Sequence, residues 1–158
     1  MKKCKFCREH ALLREETDSS RFFCSKPCQW LHYTLTGSVI TQDTIRDVWA
    51  KMIRDVPVER VATILKTDQL MQKLCMKPEF FRLYYQRNKD QVVQRTISLI
   101  RSYDPEALWW IYLILDDNPE FQRTYVILYA ARTRNQELLD RFQLTPHEVK
   151  MVERERQE

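Results

Sequence analysis

Asp104-Pro105-Glu106-Ala107-Leu108-Trp109-Trp110-Ile111-Tyr112-Leu113-Ile114-Leu115-Asp116-Asp117-Asn118-Pro119-Glu120 is the stretch from which the fold is read. It opens on a capping aspartate, then a proline, then an acid, the order that suits a helix first turn. Ala107 to Leu115 follow as an unbroken apolar run. Such a run has no solvent face, so it reads as a central core helix. It is too short to span a bilayer, which takes about 20 apolar residues. Asn118-Pro119-Glu120 repeats the cap-proline-acid order and predicts the next helix start.

Working outward, residues 41–158 read as one all-α body of six to eight helices. Thr41 and Asp43 open the first, with Ile45, Val48, Trp49, Met52, Ile53 and Val56 on one stripe. Pro57 restarts the chain, and Val58, Val61, Ile64 and Leu65 share a face. Leu70, Met71, Leu74 and Cys75 mark a third helix, and Pro78-Glu79 opens a fourth rich in aromatics. Val92, Val93, Ile97, Leu99 and Ile100 lie on a fifth. A long seventh helix is predicted from Phe121 to Phe142, and Thr145-Pro146-His147-Glu148 is a capping box for the last. The polar tail Met151 to Glu158 is expected to fray. Pro78-Glu79-Phe80, Arg82 and Tyr84 recur as Pro119-Glu120-Phe121, Arg123 and Tyr125. The residues between them align poorly, so these matches read as two common proline-acid starts rather than a repeat.

Composition narrows the function. The 158 residues are 44% hydrophobic and 11% aromatic, enough for a packed core and too apolar for a disordered chain. Gly37 is the single glycine. Phosphate-cradling loops need several, which excludes P-loop and Rossmann sites, and glycine-poor turns argue against a large β-barrel or sandwich. No secretory signal is read at the amino terminus, because Cys4-Lys5-Phe6-Cys7 follows Lys2-Lys3 where an apolar stretch would stand. The five cysteines are therefore expected in a reducing, intracellular compartment, where metal ligation is favoured over disulfides.

Cys4, Cys7, Cys24 and Cys28 are spaced C-x2-C, then a gap, then C-x3-C. A two-residue spacer lets one tight turn deliver two sulfurs to one ion. Cys24 and Cys28, four apart, are adjacent on the first turn of a helix that Pro27 would open and Gly37 close. The residues ending in Arg21-Phe22-Phe23 are expected to form a short hairpin or extended loop entering Cys24. One Zn2+ held by four thiolates is the expected cofactor. His10 and His32, three or four residues after a cysteine, are rivals for one place.

These residues resemble a known family. Cys4-Lys5-Phe6-Cys7, then Phe23-Cys24-Ser25-Lys26-Pro27-Cys28 with Tyr33 following, is similar to the MYM-type, or FCS-type, zinc finger, most specifically in its F-C-S-x-x-C core. Similar fingers occur in the TRASH group and in late transcription factors of poxviruses. The resemblance implies a treble-clef-like finger over residues 1–37 with Cys4, Cys7, Cys24 and Cys28 as ligands. It also implies a chromatin-linked or transcriptional role in the nucleus. A single finger on an otherwise unfamiliar helical body resembles a protein of a large DNA virus, which would place it in the host nucleus or the viral factory.

Four thiolates close the coordination sphere and leave no place for an activated water, so zinc hydrolase chemistry is not expected. With no nucleophile-base-orienter set, the chain reads as non-enzymatic, without a small-molecule substrate and without a membrane partner. Charge points to an anionic partner. Residues 1–100 carry 18 basic against 11 acidic side chains, and residues 101–158 carry 8 against 11. Lys2, Lys3, Lys5, Arg8, Arg14, Arg21 and Lys26 are the expected binding residues for DNA, chromatin or the acidic face of a nucleosome. Arg46, Lys51, Arg54 and Arg60 could extend that patch. The alternative is a helical protein-protein adaptor or homodimer with a purely structural zinc site.

Overall fold

A computed structural model describes residues 42–157 and the backbone of Leu13–Arg14 and Phe22–Phe23. The chain divides into two compact units, Met1–Gln91 and Val92–Glu158. Among the described residues there are nine α-helices, one 3-10 turn and one pair of short strands. From residue 42 onward the chain is all-helical, as its apolar periodicity predicts.

In the first unit, β1 (Leu13–Arg14) pairs antiparallel with β2 (Phe22–Phe23), Leu13 opposite Phe23 and Arg14 opposite Phe22. Helices α1 (Gln42–Asp55), α2 (Val58–Thr67), α3 (Gln69–Cys75) and α4 (Pro78–Arg87) follow. Each boundary has a local cause. Pro57 disfavours helical backbone at Val56 and ends α1, then stands at the N-cap of α2. Asp68 closes α2 by donating its N–H to Ile64 O at 3.0 Å. The same residue opens α3, its carboxylate accepting the Met71 N–H at 3.0 Å. Pro78 occupies the first turn of α4, where a missing N–H costs nothing.

Val48, Met52, Val61, Ile64, Met71, Phe80 and Tyr84 are buried together, each worth about 1.5–3 kcal/mol of apolar transfer. Neutral side chains then tie the helices through main-chain carbonyls. The Trp49 indole N–H donates to Leu74 O at 2.9 Å, and the Tyr84 hydroxyl to Val56 O at 2.6 Å. Cys75 is buried at the end of α3, and burial pushes its thiol up to about 12.

The second unit takes α5 (Lys89–Arg101) from Val92 on, then a 3-10 turn at Pro105–Ala107, α6 (Leu108–Asp117), α7 (Arg123–Arg132), α8 (Gln136–Leu139) and α9 (Pro146–Gln157). The apolar run is indeed core. Trp110, Ile111, Ile114 and Leu115 are buried, and none of Leu108–Leu115 is exposed. The capping box closes as expected: the Glu148 N–H donates to Thr145 Oγ1 at 3.2 Å and the Thr145 N–H to Glu148 Oε1 at 3.0 Å.

Three expectations are corrected here. The single helix from Phe121 to Phe142 is two, α7 and α8, so the described residues hold one helix more than the upper end of six to eight. The break lies at Arg134, whose φ of 57° is left-handed. Asn135 N–H reaches back to Ala130 O at 2.8 Å and Arg134 N–H to Ala131 O at 3.2 Å, a Schellman ending. Asn135 then caps α8 by accepting the Leu138 N–H. Second, Pro119-Glu120 does not open a helix. Asn118 Oδ1 accepts the Glu120 N–H in a turn, and α7 begins only after Gln122, at φ 42°. The two proline-acid segments therefore differ in structure: Tyr84 is buried whereas Tyr125 is 48% exposed. Third, the tail is helical to Gln157, because Val152 is buried and the Arg156 guanidinium donates to Gln136 Oε1 at 2.6 Å.

A second Schellman ending closes α5, with Tyr103 at φ 57° and the Asp104 N–H on Leu99 O at 3.0 Å. The Tyr103 ring lies parallel to Tyr129, centroids 6.4 Å apart, with the Arg132 guanidinium 4.3 Å from its centroid. The Tyr129 hydroxyl donates to Asp104 O at 2.8 Å. These contacts hold in place a left-handed residue that glycine would adopt without steric cost.

Candidate functional site

The expected metal ligands Cys4, Cys7, Cys24 and Cys28, and the basic residues Lys2, Lys3, Lys5, Arg8, Arg21 and Lys26, lie outside the described residues. Arg14 falls in β1, where its backbone pairs opposite Phe22. The paired strands lie in the sequence gap between the two cysteine pairs, where a hairpin or extended loop is expected. Among the described residues, no cluster of histidine, cysteine and carboxylate side chains could hold a metal ion.

The proposed extension of the basic patch divides into two classes. Lys51 is engaged by Asp55 at 2.7 Å, only 21% of its side chain exposed, and Arg60 is half-buried. Lys51 and Arg54 hydrogen-bond the Asp55 carboxyl and hold it below its usual range. Arg46, by contrast, meets only the exposed Asp43, and it stands with Arg54 on the rim of a groove of about 580 Å3 between α1 and α4. Trp49, Ala50 and Ile53 from α1 and Leu83 from α4 line it, with Arg87 and Asn88 at the far end of α4.

The groove follows from helix geometry. Residues 46, 49, 50, 53 and 54 fall on one side of α1 at three- and four-residue steps. Trp49 and Ile53 belong to the apolar stripe that the periodicity places in the core, yet both are only half-buried, since their outer surfaces line the groove. Side-chain bonds anchor both walls of the trough. The Trp49 ring is fixed by its bond to Leu74 O and by an edge-on contact with Phe80 at 5.7 Å. The Asn88 side-chain amide donates to Ile53 O at 3.0 Å and to Tyr84 O at 3.1 Å, bridging the two walls. Leu83 is 40% exposed, a large apolar side chain presented to solvent. Of the groove residues only Arg46 and Arg54 were legible as functional; Trp49 and Ile53 read as core, and Leu83, Arg87 and Asn88 come from some thirty residues further along the chain.

In the second unit three arginines pair with carboxylates. Arg123 is bidentate to Glu148 at 2.9 Å for both bonds and also donates to Gln143 O. These bonds hold the Glu148 carboxyl down to about 2, the Arg123 side chain being the largest cause and the Thr145 N–H the next. Arg95 is bidentate to the buried Glu106 at 3.1 Å, and Arg141 pairs with Asp116 at 2.7 Å. A smaller hollow of about 350 Å3 beside α9 is lined by Leu139, Phe142 and Val152, with Asp140, Glu153 and Arg156 also on its walls. No described helix is long and apolar enough to cross a membrane. No family model, no curated protein and no solved structure matches the chain.

Proposed function

We propose that the protein is a non-enzymatic zinc-finger protein that binds DNA or chromatin through a basic amino-terminal head and acts in transcription or control of the nuclear compartment. Cys4, Cys7, Cys24 and Cys28 would hold one Zn2+ and fold a segment too short to sustain a core alone. The observation that carries this reading is the spacing of the two cysteine pairs with a strand pair between them, β2 ending one residue before Cys24. Lys2, Lys3, Lys5, Arg8, Arg14, Arg21 and Lys26 would meet phosphates or an acidic histone surface. The resemblance to MYM-type fingers supports the same reading.

Elemental analysis of the purified protein is expected to give one zinc per chain, lost on Cys24→Ser. Binding to duplex DNA and to nucleosomes should weaken steeply as salt rises, because it releases counterions from the phosphates. Joint replacement of Arg8, Arg14 and Arg21 by alanine should abolish it. A zinc-free native protein, or an unchanged affinity in that variant, would reject the reading. The adaptor alternative is favoured by a separate observation, the apolar floor between α1 and α4.

A further inference from the structure

We infer that the groove between α1 and α4 docks an acidic amphipathic helix of a partner protein. Its floor is apolar, from Trp49, Ala50, Ile53 and Leu83, and its rim carries Arg46, Arg54 and Arg87. Among the described residues that line it, three are arginines and none is acidic. Arg46 and Arg54 are eight residues apart on α1, about 12 Å along the axis. A complementary helix therefore offers apolar side chains over two turns and carboxylates at either end of that stripe. Carboxylate and guanidinium match as bidentate pairs.

The rim arginines do have carboxylate neighbours. Arg46 lies 3.8 Å from Asp43, with both side chains at least 80% exposed, and Arg54 lies 3.2 Å from Asp55. The Arg46 pair, this open to water, is worth about 0–1 kcal/mol, whereas Arg54 donates from Nε and Nη2 to an Asp55 carboxylate only 28% exposed; neither aspartate lines the groove. A carboxylate brought in by an apolar face would bind where water is excluded, and would outcompete the open Asp43 contact. The floor decides between classes of partner. A nucleic-acid backbone would satisfy the arginines but has no apolar face to cover Trp49, Ile53 and Leu83, whereas an amphipathic helix satisfies both. Trp49 and Asn88 tie the two walls to the helices behind them, which favours docking on a preformed surface.

Fluorescence anisotropy on the full chain tests the assignment with a labelled synthetic helix of about 16 residues, long enough to be marginally helical. Its apolar stripe of two turns is flanked by glutamates; one control peptide carries glutamine at those positions and another lysine. The glutamate peptide is expected to bind, the glutamine peptide at least about tenfold more weakly and the lysine peptide not at all. Leu83→Asp, and Arg46→Glu combined with Arg87→Glu, should each weaken the glutamate peptide by about tenfold or more. The charge-reversed variant should regain affinity for the lysine peptide. These side chains are exposed, so unchanged helicity by circular dichroism checks that the variants fold. Equal binding of the glutamate and glutamine peptides, or no loss in either variant, would overturn the proposal. So would displacement of the peptide by a DNA duplex whose own binding is lost in the same variants. A self-associated chain that Leu83→Asp converts to monomer would overturn it too, giving the groove to a second copy.

Discussion

The first unit joins its helices with neutral side chains on main-chain carbonyls, and the second joins them largely with arginine-carboxylate pairs. Trp49, Tyr84 and Asn88 do this work in the first; Arg95, Arg123 and Arg141 do it in the second. The difference teaches where charge is available. Arg95 and Arg123 are committed to buried carboxylates within the second unit, whereas Arg141 and its partner Asp116 stay exposed. On the rim of α1 and α4, among the described residues, Arg46 holds only an open surface pair and Arg87 no ion pair, so their charge faces outward, while Arg54 shares Asp55 with Lys51.

The largest expected effect is in the second unit. Arg123→Ala strands the buried Glu148 carboxylate and frees Gln143 O, and should cost about 3–5 kcal/mol by urea unfolding at neutral pH. Replacing the pair together, as Arg123→Met with Glu148→Leu, should recover most of that loss, since an apolar pair carries no desolvation penalty. A double variant as weak as the single one would show that the comparison misplaces the source of stability. The matching change in the first unit, Tyr84→Phe, leaves Val56 O without its donor and should cost about 1–3 kcal/mol.

Acid separates the two units next. Glu148 has its folded value near 2, below the ordinary 4.5. Its contribution is thus present above about pH 4.5 and lost as pH falls towards 2. Amide hydrogen exchange should show α7 and α9 losing protection in that window before α1 and α4 do. Asp55 shifts the same way, but as a surface pair its effect on the first unit is small. Simultaneous loss of protection would remove the distinction. The smallest effect compares the two left-handed helix ends. Arg134→Gly should raise stability by about 0.5–1 kcal/mol, whereas Tyr103→Gly should gain nothing, because it forfeits the stack on Tyr129 and Arg132. Thermal midpoints of the two variants decide it.

These contrasts also mark what the sequence made legible. An apolar run with no polar face reads as core in any context, and Thr145 with Glu148 names its own capping box. Asp104 and Asn118 each accept the N–H two residues on, yet helix follows directly only after Pro105, as it does after Pro78, and local residue types do not distinguish the cases. The end of α7 was illegible for a sharper reason. Left-handed helix ends announce themselves by glycine, and this chain has one glycine, so Tyr103 and Arg134 fill such places unannounced. Asn135 was the available signal. For the candidate site, Arg46 and Arg54 were legible as basic residues on one helix. The groove was not, since Leu83 and Arg87 reach it only through the packing of α4 on α1.

Cys75 has a practical consequence. A sulfhydryl sealed at the end of α3, held protonated to about 12, cannot attack an electrophile while the first unit is closed. Its alkylation must wait for the unit to open, so the rate of labelling under native conditions is a clock for that opening. Read by mass spectrometry, the same clock would slow when a ligand clamps α1 against α4, reporting occupancy without any added dye.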